Sequence, residues 1–150
     1  DDAYAKVGSF FQPDYEAINA GQPDLVVVAA RTSPAYAELA PTVPTVDLTN
    51  DWQDFIGSSK ANTEVLGTIF ERHEDVAAMI GELDSSIAEF QASASDLGKV
   101  FVVLTSAGEV TAYGPGSRFG FVHDALGLVP AVADVEGVVT LALVFVVAGA

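Results

Sequence analysis

The chain has 150 residues, half of them hydrophobic, enough for a domain with a real core and too apolar for a disordered segment. Its 21 acidic and 6 basic residues give a net charge of −15, which argues against nucleic acid as a partner, because gripping a phosphate backbone needs basic patches. The lack of cysteine excludes disulfides, thiolate chemistry and cysteine-ligated metals.

The opening Asp1-Asp2-Ala3-Tyr4 carries no signal peptide and reads as the middle of something longer. Val7-Gly8-Ser9-Phe10 reads as a strand end or a loop. Pro13-Asp14-Tyr15-Glu16 then starts a short helix, with proline and acids in the first turn, and Gly21 ends it. Leu25 to Ala29 is a continuous apolar run, the mark of a parallel strand buried on both faces. Arg31 lies two residues beyond it. Ligands of open α/β sheets gather past the carboxyl ends of strands, so Arg31 is a candidate for holding an anion; the plainer alternative is a surface arginine in a loop. A short helical segment, Ala35 to Ala40, lies between prolines, and Thr45 to Leu48 is a short strand. The first 50 residues thus alternate strand and helix, an α/β pattern.

Asn50 caps the next helix, with Gln53 three residues on, and Trp52, Phe55, Ile56, Leu66, Ile69 and Phe70 follow at helical spacing. Glu71 to Glu74 is a junction. A second helix runs from about Asp75 to Ser95, with the apolar stripe Val76, Met79, Ile80, Leu83, Ile87, Phe90 and Ala94. Leu97-Gly98-Lys99 closes it. Val100 to Leu104 is a buried strand, Ser106 to Glu109 a turn, and Val110 to Tyr113 a return strand. A final short helix spans about Phe119 to Leu126, ended by Gly127. Val138 to Ala148, broken only by Thr140, is too short to span a bilayer and reads as a buried strand.

Ala112-Tyr113-Gly114-Pro115-Gly116-Ser117-Arg118-Phe119-Gly120-Phe121 is the stretch that points most directly to a site. Two glycines around a proline turn the chain sharply and deliver Ser117 and Arg118 to a helix start, whose free N–H groups and partial positive charge favour an anion. The alternative is a tight β-to-α loop with a solvated arginine. Arg31, Arg72 and Arg118 are the arginines, so an anionic ligand has few places to go. No catalytic set emerges. Gly-Pro-Gly-Ser-Arg is neither a nucleophile elbow nor a phosphate loop ending in Gly-Lys-Ser/Thr. The two histidines, His73 and His123, lie on separate helices without partners, so no metal is assigned.

Val7-Gly8-Ser9-Phe10, Pro13 to Ile18, Gln22 to Val28 with Arg31, and above all Ala112 to Gly127 resemble the substrate-binding proteins of iron–siderophore ABC importers, of the petrobactin and catecholate-siderophore kind. The resemblance runs from about Val7 to Pro130. It implies two α/β lobes joined by one long helix, with an amino-terminal lobe over 1–72, the linking helix over 73–97 and the start of the second, incomplete lobe over 98–150. It implies an extracytoplasmic, monomeric, non-enzymatic protein, lipid-anchored or periplasmic, that captures a ferric siderophore without a cofactor and passes it to an ABC permease. Arg31 and Arg118 match the family's ligand-binding arginines in the cleft between the lobes. Tyr113 is placed to meet catechol rings or to serve as core. Glu16 falls where a permease-docking glutamate would lie; the alternative is an acid stabilising its own helix start.

The family's first strand and first cleft loop are expected before Asp1. Beyond Pro130 the family carries His-Gly-Gln and a further arginine, which residues 131–150 do not show. The chain thus reads as a fragment, and no third arginine is assigned. Two other readings remain: an α/β enzyme holding a phosphorylated substrate at Gly114 to Arg118, and a cobalamin- or haem-binding protein on the same fold.

Overall fold

The structure, a computed structural model, describes residues 4–9, 11–132 and 137–141. The chain forms two compact units that divide between Asn50 and Asp51.

In the first unit β1 (Gly8–Ser9) and β2 (Gln12–Pro13) pair antiparallel. Phe10 lies outside the described residues. The helix α1 (Tyr15–Gly21) starts at Asp14, whose Oδ1 accepts the Ala17 N–H at 2.9 Å and satisfies one free donor of the first turn. β3 (Val26–Val28) runs parallel to β4 (Thr45–Asp47), with Val28 opposite Asp47. A 3-10 segment (Ala30–Ala35) and the short helix α2 (Tyr36–Leu39) join them. Ile18, Val28, Ala35 and Leu39 form the core, with Val26 and Val43 against it. Burying side chains the size of Ile18, Val28 and Leu39 stabilises by about 1.5–3 kcal/mol each.

The strand expected to be buried on both faces is buried on one. Val28 is 3% exposed and Val27 is 50% exposed. Successive strand residues point to opposite faces, and α1 and α2 cover only the side of the sheet that carries Val28. β3 also borders an open apolar groove of about 420 Å³, lined by Val7, Ile18, Val27 and Leu39 among others.

The second unit opens with α3 (Phe55–Ile69) and α4 (His73–Ala94). The cap of α3 is Asp54, not Asn50: Asp54 Oδ1 accepts the Gly57 N–H at 3.1 Å. Asp51 folds the preceding residues into a turn by accepting the Gln53 N–H at 2.9 Å, so Trp52 lies ahead of the helix rather than in it. α4 is unbroken over its 22 residues, about 33 Å of rod. It packs on α3 where Gly67 faces Val76, and Lys60 pairs with Asp84 between the two helices. The sequence reading groups residues 51–72 with the amino-terminal lobe; in the fold α3 lies against α4. The stripe of α4 is wider than the surface α3 covers: Ala94 is buried, Val76, Ile80, Ile87 and Phe90 are half-buried, and Met79 is 61% exposed.

Beyond α4 the run expected as one buried strand is two: β5 (Lys99–Val100) and β6 (Val102–Ser106), parted at Phe101, with Val103 and Leu104 exposed. β6 turns through Ala107 and Gly108, both at positive φ, into β7 (Glu109–Tyr113). The expected eight-residue final helix is one turn, α5 (Phe121–Asp124). β8 (Val129–Pro130) pairs parallel with β5, and β9 (Val138–Leu141) pairs antiparallel with β7. Val138 and Val139 are exposed, so the described part of that strand is not buried; residues 142–150 lie outside the described residues. Each sheet lies within one unit, and the α/β reading with one long helix is borne out. Among the described residues no helix is long and apolar enough to cross a membrane.

Candidate functional site

Arg118 sits on the loop between β7 and α5, and the loop is built to hold one shape. Ala112, at the end of β7, is fully buried. The Gly114 N–H donates to the Gly137 carbonyl at 2.9 Å, and the Gly137 N–H donates to the Pro115 carbonyl at 3.0 Å. Gly116 takes φ +70°, a backbone state that side-chain-bearing residues rarely adopt. Ser117 is 3% exposed and its Oγ donates to the Gly114 carbonyl at 2.6 Å. At Gly120 a Cβ would stand 2.7 Å from the Ser117 nitrogen and 2.8 Å from the Gly114 oxygen, so only glycine lets the loop close on itself.

The expected anion cradle of helix-start N–H groups differs from the one observed. α5 is a single turn, with little dipole to offer. The Gly116 N–H is engaged by Asp124 Oδ2 at 2.7 Å, so the chain's own carboxylate fills that position. What the loop presents is the guanidinium itself. Arg118 is exposed, with Cζ 5.1 Å from the Phe119 ring centre and 5.5 Å from that of Trp52. Trp52 stacks on Phe55 at 5.8 Å and an interplanar angle of 4°, and Phe55 meets Phe121 at 5.4 Å. Tyr113 is half-buried and meets Phe119 edge to face at 4.8 Å, so it packs within the cluster. Among the described residues no carboxylate pairs with Arg118. A guanidinium near two aromatic faces keeps hydrogen-bond donors for an anionic ligand.

In the other unit Arg31 lies in the 3-10 segment, exposed, with Cζ 5.4 Å from the Phe11 ring centre. The end of β4 holds this segment. The Ala30 N–H donates to Thr49 Oγ1 at 2.8 Å, and the Ser33 hydroxyl donates to the Asp47 carboxylate. Asp47 also accepts from Thr49 Oγ1 at 2.5 Å and from the Thr49 N–H at 2.9 Å. These donors, the Ser33 hydroxyl foremost, hold its carboxyl below the usual carboxylate range. Glu16 is exposed in the first turn of α1.

Sequence reasoning missed the supports. The helical spacing groups Trp52 with α3, although Asp54 is a cap residue that puts Trp52 outside the helix. Asp47 reads in the sequence as part of a strand, with no further role assigned to it. His123 is buried, and its Nδ1 donates to the Leu128 carbonyl at 2.8 Å, a structural bond that closes α5.

Arg31 and Arg118 are thus exposed arginines that each follow a strand, β3 and β7. Residues 1–137 match the periplasmic binding protein family, and the chain belongs to it. It is 35% identical over 137 residues to the petrobactin-binding protein YclQ of Bacillus subtilis, covering 91% of this chain and 43% of YclQ. It is 32% identical over 134 residues to the ferric-anguibactin-binding protein FatB of Vibrio anguillarum, covering 86% of this chain and 42% of FatB. The crystal structure of YclQ superposes with a TM-score of 0.82 at 34% identity, over 91% of this chain and 49% of that one. The periplasmic catecholate-siderophore binding protein VctP of Vibrio cholerae gives 0.82 at 29% identity, over 90% of this chain and 49% of that one. The chain thus spans less than half the length of these relatives.

Proposed function

We propose that this protein is an extracytoplasmic solute-binding protein that captures a ferric siderophore of catecholate type and delivers it to an ABC-type permease. The observation that carries this reading is the Arg118 guanidinium, exposed beside two aromatic faces on a loop of fixed shape, in a chain whose net charge is −15. A ferric tris-catecholate carries about three negative charges and flat aromatic rings, and suits a planar cation with aromatic neighbours. The names of YclQ, FatB and VctP support the same ligand class.

In this reading Arg31 and Arg118 are ligand contacts and Tyr113 lies near the ligand's rings. Glu16 belongs to the surface that meets the permease. Residues 1–72 and 98–150 fall to two lobes with the helix of 73–97 linking them, and the protein acts as a monomer held at the membrane by a lipid anchor or free in the periplasm. The chemistry is recognition without turnover. Titration of the intrinsic fluorescence with ferric petrobactin, haem, cobalamin and a nucleoside triphosphate tests it. Saturable quenching by ferric petrobactin alone is expected. Binding of haem, cobalamin or the nucleotide in its place would overturn the reading.

A further inference from the structure

We infer that Trp52 is a positioning residue for Arg118, holding its guanidinium ready for the anionic ligand; the ligand part of this inference rests on the proposed siderophore-binding function. An arginine side chain has several rotatable bonds, and ordering it on binding weakens affinity. Here the ordering is done beforehand. Trp52 is remote from Arg118 in sequence, yet its ring centre lies 5.5 Å from the Arg118 Cζ, and that of Phe119 lies at 5.1 Å.

Each ring is itself backed. Phe55 stacks on Trp52 with planes 4° apart, and Phe121 meets Phe55. Tyr113 sets its edge against Phe119. The turn that carries Trp52 is tied to α3: the Asp51 N–H donates to Ser58 Oγ at 3.0 Å, and Ser58 Oγ donates to the Asp54 carbonyl at 2.7 Å. Trp52 is 40% exposed, a large apolar surface that the core does not require. Its contact with the cation is the feature that calls for an indole, the strongest of the aromatic partners for a guanidinium.

The test uses the purified full chain as Trp52→Phe, Trp52→Leu, Arg118→Ala and the double variant Trp52→Leu/Arg118→Ala. The first measurement needs no ligand. In the parent the Arg118 side-chain Nε–H resonance is shifted by the aromatic ring currents; the shift shrinks in Trp52→Leu and largely persists in Trp52→Phe. The second is calorimetric titration with ferric petrobactin. Trp52→Leu weakens binding by about two- to fivefold, the size of an exposed cation–π contact, and Trp52→Phe recovers most of it. In the Arg118→Ala background the same change has no further effect, whereas a merely structural role would lower affinity equally in both backgrounds. An Arg118 resonance indifferent to Trp52→Leu overturns the positioning role. So does additive loss in the double variant. If the parent shows the resonance shift but no ferric petrobactin binding, the positioning role stands and the siderophore reading fails.

Discussion

The hydroxyl of Ser33 donates to the Asp47 carboxylate, and through that bond the end of β4 holds the turn that presents Arg31. The same carboxylate takes the Thr49 hydroxyl and backbone N–H, and Thr49 in turn takes the Ala30 N–H. Ala30 sits at φ +49°, a state a non-glycine residue keeps only when its surroundings fix it. A network of side chains at the carboxyl end of β4 therefore sets the direction in which Arg31 leaves the neighbouring strand β3.

Asp47 makes that network sensitive to acid. Its folded pKa lies below the usual carboxylate value, so its contribution to stability is fully present above the unfolded value and is lost as pH falls through the lower folded one. Asp47→Ala removes the acceptor from two hydroxyls and one N–H. Hydrogen bonds to a charged group contribute about 1.5–3 kcal/mol, and partial exposure puts the expected loss near the low end, about 1.5 kcal/mol. Denaturant unfolding at pH 7 and at pH 3 checks this. The gap between parent and variant is expected at pH 7 and should shrink at pH 3; a gap that stays constant would show that the charge of Asp47 contributes nothing.

Two helical glycines should respond in opposite directions. A Cβ at Gly67 of α3 would meet Val76 Cγ2 at 2.7 Å and Val76 Cβ at 3.2 Å. Valine is stiff at χ1 and cannot swing both atoms away, so α4 must shift. Overpacking of this kind costs about 1–3 kcal/mol, and the gain in helix propensity from glycine to alanine, about 1 kcal/mol, offsets only part. At Gly81 of α4 a Cβ meets nothing within 4 Å, so the propensity gain stands alone. Thermal unfolding should therefore show Gly67→Ala less stable by about 1 kcal/mol and Gly81→Ala more stable by a similar amount. Equal shifts of the two variants would refute the close packing of α3 on α4.

The helices and the β6–β7 hairpin are legible in the sequence because they rest on local chemistry, whereas the pairings of β1 with β2, β5 with β8 and β7 with β9 are not. Asp14 caps α1, and Ala107-Gly108 makes the hairpin of β6 and β7. The α4 stripe recurs at helical spacing, and its bounds came out within two residues. Burial was less legible, because an apolar strand run records what a residue tolerates and not which face a neighbour covers. Val27, Val103 and Val138 are exposed despite belonging to such runs. At the site, the sequence marked the Gly114 to Arg118 loop and the two arginines. It did not reveal that Asp124 takes the Gly116 N–H or that Trp52 reaches Arg118, since both depend on tertiary packing.

Glu16 carries a different kind of test. It is exposed in the first turn of α1, where an acid also favours the helix by about 0.3–1 kcal/mol. Asp14 already supplies the capping hydrogen bond, so that stabilising share should be at the low end. If Glu16 meets the permease, Glu16→Gln leaves ferric petrobactin affinity unchanged and lowers cellular uptake of the radiolabelled iron complex. Uptake equal to that of the parent would leave Glu16 with only its helix-start role.

Arg118 is the residue on which the binding function should depend most. Its guanidinium lies near two aromatic rings, and among the described residues it has no carboxylate to leave behind when a ligand arrives. The protein's net charge of −15 repels an anion at long range, so affinity must come from close, desolvated contacts of this kind. A charge-assisted hydrogen bond contributes about 1.5–3 kcal/mol, which sets the expected loss for Arg118→Ala at roughly ten- to a hundredfold in affinity for ferric petrobactin. Arg118→Lys should recover only part, because an ammonium lacks the planar fork and stacks poorly on a ring. Raising the salt concentration should narrow the gap between parent and Arg118→Ala, since only the parent keeps that charge contact to be screened. Calorimetric titration at two ionic strengths measures all of these. Parent-like affinity in Arg118→Ala would remove Arg118 from the binding site, and full recovery by lysine would show that charge alone matters there.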